Sequence, residues 1–287
     1  MPRITPHQAD AGYLSIAQNT DTVNYLELAY VQAMSIKLTM PGSLYALIVD
    51  AATLACVETK HRAVFDYIIL LDNDYAQQET WKLSNEWQVF TLTPFKETVK
   101  LESDIVFTRS ISHWWHMFRL KNLVLSLGCR DYKGNTSTVR RYRRLFDDNC
   151  LPDTYNGLMY FRYSQEAADF FRVAEQIYSN WEHISKHVLV NCRDDSPTTD
   201  VVYALSALTI GVDKCTLPQA DFVNFTHMKN AINQWPETTP WTDMVVHELD
   251  LPMIRVNNTN QYHPFHYQDK NWVTDELIER YEHELSR

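Results

Sequence analysis

The chain lacks any CxxC pair or alternating ladder of cysteine and histidine, and its five cysteines are an odd number spread widely along 287 residues. This pattern indicates neither a disulfide framework nor a structural zinc site, and it fits a reducing compartment. No segment approaches the roughly 20 apolar residues needed to cross a bilayer, and the N-terminal MPRITPHQADAG has no signal-peptide core. We therefore expect a soluble cytoplasmic protein with no membrane partner.

Positive charge is also scarce, because 26 Lys and Arg residues stand against 36 Asp and Glu residues and the formal net charge is -10. This balance disfavours a general polyanion-binding protein, although it does not exclude one local basic patch. Hydrophobic residues make up 45% of the chain, which is enough for a large folded core. Internal repeats and low-complexity segments are absent from the sequence.

The first third of the chain alternates strand and helix signals. GYLSIA (12–17) reads as a strand, VNYLELAYVQAMSIKL (23–38) as an amphipathic helix, and LYALIVD (44–50) as a buried strand. FDYIILL (65–71) and TVKLESDIVF (98–107) repeat the strand signal. Strand, helix and strand in this order form a βαβ unit with a parallel sheet, so the pattern predicts an α/β fold with an open, mostly parallel Rossmann-like sheet flanked by helices.

The second half continues with a strand in YNGLMYFR (155–162) and two helices, one amphipathic over 165–181 and one more buried over 198–211. We expect residues 1–235 to form a single domain. The tail, 236–287, is rich in Trp, Pro, His and Tyr, and is predicted to wrap over the same domain as loops ending in a helix.

Polar side chains follow several of the predicted strands: Gln18, Asn19 and Asp50, and then the pair Glu102 and Asp104. Ligands of open α/β sheets bind at the carboxyl ends of the strands. Glu102 and Asp104 would alternate across a straight strand, so both can reach one ion only if the chain bends there. Oxygen ligands suit Mg²⁺ or Mn²⁺. The alternative is a solvated Glu and an Asp that caps a helix or pairs with an Arg.

Six segments follow one another along the chain: SIAQN, YLELAYVQAMSIK, a strand ending in VD, KETVKLESDIVF, YNGLMYF and FTHMK. Over roughly residues 12–235, this order resembles the nucleotide-sugar glycosyltransferases of the GT-A type, nearest to family 8. In that family the position of ESD carries a DxD motif that holds a divalent metal on the donor diphosphate. The resemblance implies Mn²⁺ or Mg²⁺ bound by Glu102 and Asp104, and a nucleoside diphosphate sugar, such as a UDP-sugar, as the donor. Glu102 is one methylene longer than the usual Asp.

The same resemblance implies further binding residues. In the family a late His-x-x-x-Lys segment supplies a His to the metal and a Lys to a phosphate. FTHMK offers His227 and Lys229 for these roles, with a shorter spacing. The residues implied for the base and ribose pocket are Ala17, Gln18, Asn19 and Asp50.

The implied catalytic residues are less closely matched. Asn156 lies in the segment that faces the sugars in the family, although Asn-Gly is equally typical of a turn. TTDVVYAL resembles a region that often reads DQD in retaining members, which places Asp200 on the last Asp. Asp194 and Asp195 are alternatives, and no nucleophile is assigned. Whether the reaction inverts or retains the sugar configuration stays open.

Residues 130–144 hold six Lys or Arg residues and one Asp. Such a cluster suits contacts with a phosphate backbone, internal pairing with nearby acids, or a clamp on the donor diphosphate. Three further segments are KETVKLESDIVFTRSISHWW, LPDTYNGLMYFR and YHPFHYQDKNW. They resemble segments of tailed-phage sugar transferases, some of which add glucose or a pentose such as arabinose to 5-hydroxymethylcytosine in DNA. That resemblance implies duplex DNA as a partner. The residues proposed to bind it are Arg140, Arg141, Arg143 and Arg144.

The sequence thus predicts a metal-dependent glycosyltransferase with modified phage DNA as the leading acceptor. Two alternatives remain: a glycosyltransferase acting on a saccharide or a protein, and a catalytically silent nucleic-acid-binding module that keeps the same fold.

Overall fold

The computed structural model describes residues 7–79, 82–137, 143–217 and 223–287. The strands in those ranges are β1 (Ala9–Ala17), β2 (Tyr45–Val49), β3 (Tyr67–Leu70), β4 (Phe95–Leu101), β5 (Ile105–Val106), β6 (Leu123–Leu127), β7 (Thr154–Arg162), β8 (Thr226–His227), β9 (His247–Asp250), β10 (Met253–Val256), β11 (Thr259–Asn260) and β12 (Phe265–His266).

The α-helices in the same ranges are α1 (Tyr25–Thr39), α2 (Ala51–Ala55), α3 (Thr59–Val64), α4 (Val89–Leu92), α5 (Trp114–Phe118), α6 (Arg144–Asp148), α7 (Gln165–Ser179), α8 (Trp181–His187), α9 (Thr199–Ile210), α10 (Val212–Cys215), α11 (Asn230–Asn233), α12 (Trp241–Met244) and α13 (Asp275–Ser286). Short 3-10 helices cover Leu83–Gln88 and Lys270–Trp272.

A six-stranded sheet in the order β3-β2-β1-β4-β7-β6 forms the centre of the molecule. Its first four strands run parallel, and β7 is antiparallel to both β4 and β6. Strand β2, YALIV, is buried at every position, as expected for a parallel strand covered by helices on both faces. The prediction of an open, mostly parallel α/β sheet is confirmed.

Each face of the sheet is covered by its own hydrophobic cluster. Neighbouring residues of a strand point to opposite faces, so Tyr13 packs in the cluster with α1 while Leu14 packs in the cluster with α7 and α9. Helix α7 begins at Ser164, whose hydroxyl accepts a hydrogen bond from the backbone N–H of Ala167. The helices predicted at α1, α7, α9 and α13 are all present.

The C-terminal tail contains more strand than its composition predicts. Strand β12 pairs with β5 and β8 in one three-stranded sheet, and β9, β10 and β11 form another. Helix α13 packs against α1, where the Tyr30 hydroxyl donates to Glu282 Oε1 at 3.0 Å. The buried Phe265 and Tyr281 share a cluster with Tyr13 of β1. Strands of two to four residues are too short to show a periodic pattern in the sequence.

Within the described ranges, no helix has both the length and the apolar character needed to cross a membrane.

Candidate metal and donor site

The chain bends between β4 and β5, and this bend carries Glu102 and Asp104. A turn at Ser103 and Asp104 separates the two strands, as a shared ion site requires. The buried amide of Gln32 on α1 fixes the bend, because its Nε2 donates to the carbonyl oxygens of Glu102 at 2.6 Å and Ile105 at 2.8 Å.

A histidine from the C-terminal tail completes the group. Glu102, Asp104 and His266 each offer one ligand atom, and these atoms lie within 4.8 Å of one another. His266 Nε2 is 2.8 Å from Asp104 Oδ2 and 3.6 Å from Glu102 Oε2. The antiparallel pairing of β12 with β5 places His266 opposite Ile105, next to the bend.

The prediction of His227 as the metal-binding histidine is corrected by this geometry. His227 belongs to β8, which pairs with β12 on its other side. Its ring stacks on that of His266, with the centroids 4.2 Å apart and the planes 5° from parallel. His227 therefore supports the ring of His266 and is not one of the three clustered ligands.

The predicted phosphate-binding lysine is likewise replaced. The ammonium group of Lys270 contacts Asp104 Oδ2, the same oxygen that His266 approaches. Lys229 instead precedes α11 and lines a separate cavity of about 550 Å³. Residues 266–270 read HYQDK, which has the His-x-x-x-Lys spacing that FTHMK does not. This spacing was the signal in the sequence that could have identified both residues.

The pKa values of the two carboxyl groups in the bend, Glu102 and Asp104, are shifted in opposite directions. Burial raises the pKa of Glu102, and the adjacent Asp104 charge adds to this effect while His266 opposes it. Burial also disfavours ionisation of Asp104, but the charges and hydrogen bonds of His266 and Lys270 outweigh it and hold the pKa of Asp104 well below its usual range. Asp104 is therefore a fixed anion that attracts a cation.

The residues present fit a divalent cation. Two carboxylates and one imidazole are a suitable donor set for Mn²⁺ and acceptable for Mg²⁺, and both ions keep positions open for water or phosphate. The ammonium of Lys270 already lies against Asp104, which shows that this point attracts positive charge. Nδ1 of His266 is buried and has no hydrogen-bond partner in the described part of the chain.

Asn156 and Asp200, both predicted from the sequence, are brought to Glu102. Asn156 lies on β7, and its Nδ2 donates to Glu102 Oε1 at 3.1 Å. Its backbone N–H donates to Asp200 Oδ1 at 2.6 Å, from the first turn of α9. Asn156 and Gly157 are inside a strand and do not form a turn, and a Cβ at Gly157 would lie 2.7 Å from the Phe225 ring.

The alternative carboxylates are elsewhere. Asp194 and Asp195 are both exposed in the loop before α9. The backbone carbonyl of Asp194 accepts a hydrogen bond from the Trp181 indole at 2.9 Å, which anchors this loop to α8. The fold thus links Asp200 to Glu102 through Asn156 and places Asp195 on the surface.

The predicted nucleotide-binding residues lie together at the ends of β1 and β2. Gln18 Nε2 donates to Asp50 Oδ2 at 3.1 Å and to Asp74 Oδ1 at 3.3 Å. Asp50 also caps α2, and Asn19 Oδ1 accepts from the backbone of α1. Ala17 is the buried last residue of β1. Asp74 was missed by sequence reasoning because it lies in a loop without a recognisable motif.

A small cavity joins these two groups of residues. It has a volume of about 100 Å³ and is bordered by Gln18 on one side and by Glu102 and Asp104 on the other, with Lys82 and Glu86 contributing to its wall. Pockets for drug-sized ligands measure about 300–1,000 Å³. A nucleoside diphosphate sugar would therefore fit only if the walls of the cavity separate.

The basic segment is only partly described, since Arg140 and Arg141 lie outside the described residues. Arg143 is buried, and its guanidinium lies 2.5 Å from Asp153 Oδ1 and donates to the carbonyl oxygen of Thr154 at 2.6 Å. Because this side chain is 5% exposed, the prediction that Arg143 contacts DNA phosphates is corrected. Arg144 is exposed at the start of α6.

Comparisons with solved structures identify the fold. The galactosyltransferase LgtC in complex with donor and acceptor sugar analogues is 15% identical, with a TM-score of 0.55 over 96% of this chain and 95% of that one. An active-site mutant of LgtC is 14% identical, with a TM-score of 0.55 over the same shares of the two chains. The glycosyltransferase GlyE of Streptococcus pneumoniae TIGR4 is 12% identical, with a TM-score of 0.50 over 97% of this chain and 61% of that one.

No family model and no curated protein matched the chain. At the identities found, the structural likeness shows the fold alone. The fold is that of the GT-A glycosyltransferases.

Proposed function

We propose that this protein is a glycosyltransferase that moves a sugar from a nucleoside diphosphate sugar to a hydroxyl group. The observation that carries the proposal is the cluster of Glu102, Asp104 and His266 within 4.8 Å, at the carboxyl end of a central strand of a GT-A fold. The structural similarity to LgtC, solved in complex with donor and acceptor sugar analogues, supports sugar transfer as the class of reaction.

Glu102, Asp104 and His266 would hold a divalent cation, Mn²⁺ or Mg²⁺. Such a cation supplies stabilisation of the negative charge that develops on the departing nucleoside diphosphate. Lys270 lies against Asp104 and, in this proposal, would contact a phosphate oxygen. Gln18, across the small cavity, and Asp50, which accepts a hydrogen bond from Gln18, would bind the nucleoside through their amide and carboxylate groups.

Asp200 acts in this proposal as a positioning group. Its Oδ1 accepts from the backbone N–H of Asn156 at 2.6 Å, and its Oδ2 lies 3.4 Å from the guanidinium of Arg143. A carboxylate engaged on both oxygens is held in place and is a weakened nucleophile, because its charge is shared with two donors. Neither inversion nor retention follows from this arrangement.

The acceptor is the less defined part of the proposal. A hydroxymethylated cytosine in DNA is carried over from the resemblance in the sequence, and a saccharide or a protein hydroxyl is the alternative. Exposed Arg144 and Lys133, whose ammonium lies 5.5 Å from the centre of the Tyr132 ring, are cationic groups on the described surface.

The deciding experiment measures release of nucleoside diphosphate from a panel of nucleotide sugars with Mn²⁺, with Mg²⁺ and with chelator. Each reaction is run with and without DNA that contains 5-hydroxymethylcytosine. We expect metal-dependent release, and a stimulation by that DNA would identify the acceptor. Release that DNA does not change would leave the transferase and remove the DNA proposal.

Asp104→Asn tests the site itself. We expect transfer to fall at least about a hundredfold, since the variant removes the fixed charge at the cation site. Asp243→Asn, an exposed residue of α12, is the matched control and should retain full activity. Absence of release with every donor and metal would contradict the enzyme proposal and favour the silent binding module.

A further inference from the structure

A fully buried lysine lies two residues before Glu102, the first carboxylate of the proposed metal site. Lys100 of β4 has no exposed surface, and its Nζ is 2.6 Å from Glu86 Oε2 and 2.7 Å from Asn156 Oδ1. Lysine is almost never fully buried unless it is paired, because removing its charge from water is costly. A cation in this place therefore needs an explanation beyond packing.

The contact with Lys100 determines which way the Asn156 amide faces. An ammonium group only donates hydrogen bonds, so it selects the carbonyl oxygen of the amide. The amide nitrogen must then point the other way, and there it donates to Glu102 Oε1 at 3.1 Å. The backbone N–H of Asn156, bonded to Asp200, holds the base of the side chain.

The hydrogen bond from Asn156 matters because residue 102 is a glutamate and not an aspartate. A glutamate has one more rotatable bond than an aspartate, so its carboxylate samples more positions and loses more entropy when an ion fixes it. Lys100 and Glu102 are two residues apart in the chain, and both contact the side-chain amide of Asn156. The donation from Asn156 leaves Oε2 of Glu102 as the oxygen that faces His266, at 3.6 Å.

We propose that Lys100 is a positioning residue of the cation site: by fixing the orientation of the Asn156 amide, it holds the Glu102 carboxylate in its ligating position. Glu86 neutralises the buried ammonium and ties the 3-10 helix over Leu83–Gln88 to the central sheet. This inference rests on the proposed function for the metal, and it assigns roles to two charged residues that the sequence did not single out.

The test is the affinity of the purified protein for Mn²⁺, followed by electron paramagnetic resonance of the free ion. Replacing a group that orients a metal ligand typically lowers metal affinity about 10–100-fold. We expect that loss in Glu86→Gln/Lys100→Met, a double variant that leaves no unpaired buried charge. Glu86→Gln alone would leave the buried ammonium of Lys100 without its counterion, so the double variant is used instead of either single one.

A coupling measurement separates positioning from general destabilisation. If Lys100 acts through Asn156, then Asn156→Ala should weaken Mn²⁺ binding to a similar extent, and adding it to Glu86→Gln/Lys100→Met should cause little further loss. Lys96→Met is the control, since Lys96 is on the same strand but 62% exposed and paired only with Asp10 among the described contacts. Circular dichroism checks that every variant is folded.

Additive losses, or an unchanged affinity in a folded Glu86→Gln/Lys100→Met variant, would overturn the role of Lys100 and leave the proposed function intact. Failure of the unaltered protein to bind Mn²⁺ would overturn both proposals. Binding of Mn²⁺ with the expected coupling, but without release from any donor, would support Lys100 and contradict the transferase.

Discussion

At the scale of single residues, Arg143 and Arg144 are neighbours with the same chemistry and opposite environments. Arg143 is enclosed by Asp153, Asp200 and two aromatic rings, with its guanidinium carbon 3.5 Å from the centre of the Phe146 ring. Arg144 is exposed. Their adjacent positions in a basic run suggested one shared role, but burial gives them different ones.

Arg143→Met should lower the free energy of unfolding by about 3 kcal/mol, because it removes the buried cation that pairs with the half-buried carboxylates of Asp153 and Asp200. Arg144→Met should change it by no more than about 0.5 kcal/mol, as expected for an exposed position. Urea unfolding followed by fluorescence measures both values. Equal stability of the two variants would show that the ion pairs of Arg143 do not stabilise the fold.

The same pair of variants also tests the basic surface. If Arg144 contacts a DNA phosphate, its replacement should reduce the slope of log affinity against log salt by about one, because one fewer counterion is released. Binding of duplex DNA measured at several salt concentrations gives the slope. A slope equal to that of the unaltered protein would exclude Arg144 from the DNA contact.

At the scale of secondary-structure elements, helix α1 supports the metal-site bend. Gln32 donates to the carbonyls of Glu102 and Ile105, and its Oε1 accepts from the hydroxyls of Ser15 at 2.5 Å and Tyr45 at 2.7 Å. One buried side chain therefore connects α1, β1, β2 and the turn between β4 and β5. Through these hydrogen bonds, the position of helix α1 determines where the bend holds Glu102 and Asp104.

Gln32→Met should destabilise the protein by at least about 2 kcal/mol, since several buried polar groups lose their partners at about 1–3 kcal/mol each. We also expect weaker Mn²⁺ binding, because the bend would no longer be fixed. Thermal unfolding and Mn²⁺ titration measure the two effects. Gln176→Leu, an exposed position of α7, is the control. Unchanged Mn²⁺ affinity in a destabilised Gln32→Met would limit Gln32 to a structural role.

At the scale of the whole molecule, the tail after residue 235 contributes both to the core and to the site. Trp241, Phe265 and Tyr281 are buried in the same cluster as Tyr13. His266 and Lys270 belong to the same tail and contact Asp104. The tail therefore supplies two of the groups around Asp104 at the proposed cation site, although the family resemblance ended at about residue 235.

A fragment of residues 1–235 should lack cooperative unfolding, because removing the tail exposes the apolar surface of α1 and β5 that it covers. It should also lose Mn²⁺ binding. Calorimetry and Mn²⁺ titration of the fragment and of the full chain provide the comparison. A cooperative transition in the fragment would show that residues 1–235 fold without the tail and would contradict the structural role given to it here.

The sequence by itself determined five of the six strands of the central sheet, all except β6, and one end of the site. Buried apolar runs followed by polar residues predicted β1, β2 and β4, because strand patterns and turn signals are local properties. They also placed Glu102 and Asp104 at a strand end where a bend was required. Asn156 and Asp200 were identified through the resemblance, and in the structure Asn156 contacts Glu102 while Asp200 contacts the backbone of Asn156.

Only the tertiary structure decided which histidine and lysine join the carboxylates. His266 meets Asp104 across a separation of 162 residues, and this contact depends on the pairing of β12 with β5. The register of such short strands is set by the burial of their side chains against the rest of the molecule and not by their own sequence. The same reason explains the ion pair between Lys100 and Glu86, and the burial of Arg143: each depends on the neighbours that the complete fold provides.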